Sequence, residues 1–104
     1  MSKFEKVTII KKANIYYDGK VTSRRIEFPD GSIKTLGIML PGEYTFGTED
    51  AEIMEMLAGE VEVLLPNETQ WKSIPVGSSF KVPANSKFGI KVMTPADYCC
   101  SYLF

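Results

Sequence analysis

Turn-forming residues interrupt this chain so often that no long helix has room to form. Six prolines and eight glycines punctuate it, and between them lie runs of four to eight residues rich in Val, Ile, Phe and Tyr. Short apolar runs between turn signals are the pattern of an all-β sandwich or barrel. The spacing predicts strands over Val7 to Lys11, Lys20 to Phe28, Ser32 to Leu40, Glu43 to Phe46 and Glu52 to Ala58. Further strands are predicted over Val61 to Leu65, Gln70 to Ile74, Ser79 to Val82, Lys87 to Met93 and Asp97 to Leu103. Pro29-Asp30-Gly31 carries the Asp-Gly signal of a hairpin. Glu49 to Leu57 contains helix formers, but Gly47 and Gly59 bound it closely and leave room for one turn at most.

Alternation orients several of these strands. Phe80 and Val82 fall on one face with Lys81 on the other; Phe88, Ile90 and Val92 oppose Lys87 and Lys91. A strand with one apolar and one charged face buries the apolar one, so Phe88 is expected to point inward. The same reasoning gives Arg24, which shares parity with Ile26 and Phe28, an inward position. Arg25 then takes the other face.

A chain of 104 residues is one domain, and small barrels of this size are often stabilised by dimerisation. Twelve basic and thirteen acidic residues leave a net charge of −1. That balance offers no general attraction to nucleic acid or to an anionic membrane. No run approaches the ~18 apolar residues that would span a bilayer. The charged start, Met1 to Lys6, lacks a secretory apolar region, so the cytoplasm is expected. Cys99 and Cys100 are neighbours on a predicted strand and point to opposite faces, which suits two free buried thiols better than a disulfide.

Two glycine-anchored motifs carry the functional signal. The first reads Gly37-x5-Glu43-x-Thr45-x6-Glu52-x6-Gly59, and the second Gly77-x5-Pro83-x-Asn85-x2-Phe88. Their spacing resembles that of the cupin superfamily, RmlC-like jelly-roll β-barrels of two antiparallel sheets that usually hold a metal on three histidines and a glutamate. This chain has no histidine. Glu43, Thr45 and Phe88 stand at the histidine positions, so the resemblance implies a barrel without the usual metal and with no cofactor.

The match narrows further. Gly37-Ile38-Met39-Leu40-Pro41-Gly42-Glu43-Tyr44-Thr45-Phe46 and Leu57-Ala58-Gly59-Glu60-Val61-Glu62-Val63-Leu64-Leu65-Pro66 look like segments of the pyrimidine/purine nucleoside phosphorylase family of small cupins. Tyr17-x-Gly19-Lys20-Val21, Trp71, the segment from Gly77 to Pro83, Ser86, Phe88 and Tyr98-x-Cys100-x-Tyr102-Leu103 fit as well. The resemblance runs from residue 14 to residue 103, which sets residues 1–13 apart as an N-terminal extension and leaves 14–104 as a single cupin domain. Ser101 stands where some members are expected to carry arginine.

The resemblance implies phosphorolysis of purine and pyrimidine nucleosides to free base and ribose 1-phosphate; a homodimer is expected because a partner would cover the sheet edges that a small barrel leaves. Breaking an N-glycosidic bond builds positive charge on the sugar. Carboxylates can support that charge, and Glu43 and Glu52 are the candidates. Their other reading is a pair of solvated groups at the barrel mouth. Tyr44, Phe46 and Phe88 are candidates to stack on a base, and every base has a π-face; as core aromatics they would serve packing alone. Thr45 and Tyr102 complete the substrate-binding set. Arg24 is the candidate for bidentate contact with phosphate. Two alternatives remain: a non-catalytic, metal-free cupin that binds a nucleoside or sugar, and a metal enzyme built on Glu43 and Glu52, a donor pair weak for transition metals.

Overall fold

The computed structural model describes residues 2–104 and is built almost wholly of strands. They run in the order β1 (Thr8–Ile9), β2 (Asn14–Tyr16), β3 (Val21–Glu27), β4 (Ile33–Met39), β5 (Gly42–Gly47) and β6 (Ala51–Ala58). These are followed by β7 (Val61–Leu64), β8 (Lys72–Ile74), β9 (Ser79–Val82), β10 (Lys87–Val92) and β11 (Ala96–Leu103). A tight left-handed turn, Tyr17–Gly19, in which the Lys20 amide donates to the Tyr17 carbonyl at 3.1 Å, joins β2 to β3. The helix formers at 49–57 lie mostly in β6, where apolar Met54 and Met56 alternate with Glu55 and packing overrides local propensity.

Two antiparallel sheets face each other in a jelly-roll arrangement. The larger has seven strands, in the order β1-β3-β4-β11-β6-β9 with β2 also on β3; the smaller has four, in the order β5-β10-β7-β8. The sheets are not hydrogen-bonded into one continuous barrel. Between them lies the core: Val21, Met39, Met56, Val61, Val63, Val82 and Ile90 are all fully buried. The strand expected over Val7 to Lys11 is confined to Thr8–Ile9, and a second short strand, Asn14–Tyr16, forms where none was expected; the two pair with opposite ends of β3. Phe4 then packs edge-on against Phe28, with ring centroids 5.1 Å apart.

Two glycines mark places where backbone must approach closely. Gly37 on β4 lies opposite Tyr98 on β11; a Cβ there would collide with the Thr22 carbonyl and come within 2.7 Å of Tyr98 Oη. Gly89 on β10 lies under the indole of Trp71 on the outer face of the smaller sheet, where a Cβ would come within 2.9 Å of the ring. Lys91 Nζ sits 4.1 Å from that ring's centroid.

Candidate active site

A cavity of about 390 Å³ opens between the two sheets, and the sheets give it two unlike walls. On the larger sheet, cross-strand register sets the wall. Tyr98 pairs with Met56, Cys100 with Met54 and Tyr102 with Glu52, while Cys100 also pairs with Thr35 on β4. Directly paired residues share a face, so Tyr98, Cys100 and Tyr102, each two residues from the next, line the cavity with Thr35 and Ser23. This wall is rich in hydroxyls. On the smaller sheet, Phe46 pairs with Phe88 and both face the cavity, their ring centroids 5.8 Å apart. That wall is aromatic.

Tyr16 and Tyr17 stand at the side where the sheets part. Tyr17, Asp18 and Gly19 all have positive φ, at 52°, 56° and 91°. Such a backbone is unfavourable for a bulky residue like tyrosine. It delivers the Tyr17 hydroxyl to the free edge of β5, where it donates to the Thr45 carbonyl at 2.6 Å and accepts from the Thr45 amide at 3.1 Å. The ring also packs on Tyr44 and Phe46, at 5.0 and 5.8 Å. Tyr17 thus ties the larger sheet's β2–β3 turn to the smaller sheet.

Glu52 is the one carboxylate in the lining, and neither lysine nor arginine accompanies it. It is half-buried. Burial raises its pKa, a hydrogen bond from the Cys100 thiol partly offsets the rise, and Asp50 adds to it. The neighbours respond in kind: burial pushes up the Cys100 thiol and the Tyr98 and Tyr102 phenols, all of which stay neutral.

The structure brings Glu52, Thr45, Phe46, Phe88 and Tyr102 to this cavity and leaves three candidates outside it. Glu43 lies on the outer face of the smaller sheet, opposite Lys91 in register, with its side chain 63% exposed and 3.9 Å from Lys91 Nζ. It is not inward, and its strand does not pair with that of Glu52. The inward members of β5 are Tyr44 and Phe46, one residue on from the positions that motif spacing gives. A one-residue slip exchanges the two faces of a strand, and the aromatic alternation of Tyr44 and Phe46 was the signal that fixes it. Tyr44 itself is buried behind the cavity, donating its hydroxyl to the Leu40 carbonyl at 2.6 Å. Thr45 borders both the cavity and a shallow outer groove beside Glu43 and Trp71.

Arg24 also faces outward. Register pairs it with Leu36, and its Nε donates to the Lys11 carbonyl at 3.3 Å. Parity with Ile26 and Phe28 misled because the N-terminal segment shields that outer face: Ile9 pairs with Ile26, and Phe4 packs on Phe28. Ser101 is outward too, accepting from Lys34 Nζ at 2.8 Å on the face away from the cavity. Ser23, Thr35, Tyr98 and Cys100 line the cavity without having been site candidates, although Tyr98 and Cys100 belong to a matched segment. The period-two run Tyr98-x-Cys100-x-Tyr102 marks two of them. Among the described residues no three His, Cys, Asp or Glu side chains gather as a metal-binding group.

Residues 11–102 match the family model described as pyrimidine/purine nucleoside phosphorylase. The chain is 71% identical over 103 residues to a protein of that name from Hydrogenovibrio crunogenus, and 65% identical to one from Syntrophotalea carbinolica, with 99% of each chain covered in both cases. It is similar throughout to the crystal structure of a protein of unknown function from Acinetobacter sp. ADP1, with a TM-score of 0.94 at 40% identity over 97% of this chain and 98% of that one. An RmlC-like cupin from Shewanella frigidimarina shares the fold, with a TM-score of 0.70 at 18% identity over 97% and 86% of the two chains.

Proposed function

The chain belongs to the pyrimidine/purine nucleoside phosphorylase family, and on that premise we propose that the two-walled cavity binds a nucleoside with its base on the aromatic side and its ribose on the hydroxyl side. The cavity's composition carries this reading: Phe46 and Phe88 on one sheet, and Ser23, Thr35, Tyr102 and the one carboxylate, Glu52, on the other. Aromatic faces accept any base by stacking, which suits broad base tolerance. Hydroxyls can both donate to and accept from a sugar.

In the reaction a phosphate oxygen attacks C1′ as the C1′–N bond breaks. The bonding pair leaves with the base nitrogen, and the proton carried by phosphate ends on the base. Positive charge gathers on the ribose between these events. Glu52 in its ionised form supports that charge, and partial burial makes its field stronger than it would be in water. Tyr17 and Tyr44 back the aromatic wall and hold it in place.

The protein works as a homodimer in the cytoplasm, in nucleoside salvage. The free, buried thiols of Cys99 and Cys100 suit a reducing compartment. The test is incubation with uridine and with adenosine, with and without inorganic phosphate. Phosphate-dependent release of uracil and adenine, with ribose 1-phosphate as the other product, is expected. Equal release without phosphate, with free ribose formed, would make the protein a hydrolase.

A further inference from the structure

A phosphorylase must hold a phosphate anion, yet no cation lines the cavity and its one charged side chain is acidic. The register of β3 supplies a cation at the rim. Ser23 and Arg25 are two residues apart on β3 and share a face. Ser23 lines the cavity, and Arg25 lies directly opposite Thr35, which also lines it. Across Thr35 on the other side lies Cys100, beside Glu52. Directly paired side chains have Cβ atoms about 5 Å apart, and arginine reaches farther than that. The Arg25 side chain is 47% exposed, and its Nε meets Glu27 Oε2 at 3.0 Å, a partner two residues along the same face and itself 40% exposed. A pair so open to solvent is weakly held.

We infer that Arg25, not its neighbour Arg24, is the phosphate-binding cation of this cavity, and that Glu27 holds it at the rim until phosphate takes its place. The inference rests on the phosphorylase reading above. Guanidinium presents a planar fork to two phosphate oxygens. The hydroxyls of Thr35 and Ser23 supply further donors on the same face. Glu27 then acts as an intramolecular competitor that sets the phosphate concentration the enzyme requires.

The experiment measures phosphate and nucleoside KM separately, together with the rise in melting temperature that inorganic phosphate alone produces. Arg25→Ala should raise the phosphate KM about ten- to a hundredfold, the loss expected for a charge-assisted bond, and move the nucleoside KM far less. It should also abolish the phosphate-induced stabilisation that mass action gives the wild type. Arg25→Lys should recover only part of the loss, because an ammonium is a point charge. Glu27→Gln should lower the phosphate KM, and Arg24→Ala should leave it unchanged. A wild-type phosphate KM and thermal response in Arg25→Ala would overturn the assignment. An unchanged phosphate KM in Glu27→Gln would remove the competition. Base release by the wild type without phosphate would instead defeat the phosphorylase reading, whatever the variants do.

Discussion

Glu52 is where environment most alters an ordinary side chain. Burial raises its pKa, so the folded protein holds this proton more tightly than the unfolded chain does. The sign of the linkage follows: the associated stability is complete below the unfolded carboxylate range and is lost as pH rises through the raised folded value. Glu52→Gln removes that loss. Its melting temperature should match the wild type at about pH 4 and exceed it increasingly toward neutrality, while turnover falls by roughly 10²- to 10³-fold. Thermal melts and initial rates across pH check both parts; a melting difference that does not vary with pH would contradict the burial argument. Glu43→Gln, on the outer face, should leave turnover unchanged. Motif spacing in the sequence could find both glutamates but not tell them apart. The distinction lies in strand parity, which Tyr44 and Phe46 encode and the spacing of Glu43 and Thr45 obscures.

At the scale of elements, strand positions were legible because Pro and Gly bracket almost every one. The β2–β3 turn was not, since three successive positive φ values at Tyr17, Asp18 and Gly19 have no signature beyond the glycine. The outward face of β3 was not legible either, because what covers Ile26 and Phe28 comes from near the N-terminus and is distant in sequence. Gly37 shows how tightly β4 and β11 are fitted. A methyl group there meets the Tyr98 hydroxyl and the Thr22 carbonyl, and the carbonyl cannot withdraw without moving a strand. Gly37→Ala should therefore destabilise the protein by about 3 kcal/mol, an overpacking cost at the upper end of the usual range. Chemical denaturation measures it, and a cost under about 1 kcal/mol would mean that β3 and β11 can shift apart.

The whole molecule turns one face of its larger sheet to solvent with apolar side chains still on it. Ile15 and Ile38 flank Thr22 in register on that face and are 66% and 42% exposed; Ile9, opposite Ile26, is 58% exposed. Arg24 separates Ile9 from the other two, and exposed neighbouring side chains such as Ile15 and Ile38 suit an interaction surface. A homodimer formed through it should give twice the chain mass by light scattering. Ile38→Glu should shift that mass to the monomer, and a wild type that is monomeric at micromolar concentration would dismiss the interface. The jelly-roll itself could be anticipated from punctuation and motif spacing. The division of its cavity could not, because which strand joins which sheet is decided by long-range pairing. That division has a consequence for how such a protein can change over generations. On the proposed binding mode the base is held by one sheet and the sugar by the other, so substitutions at Phe46 or Phe88 would revise what is bound without rewriting what is done to it.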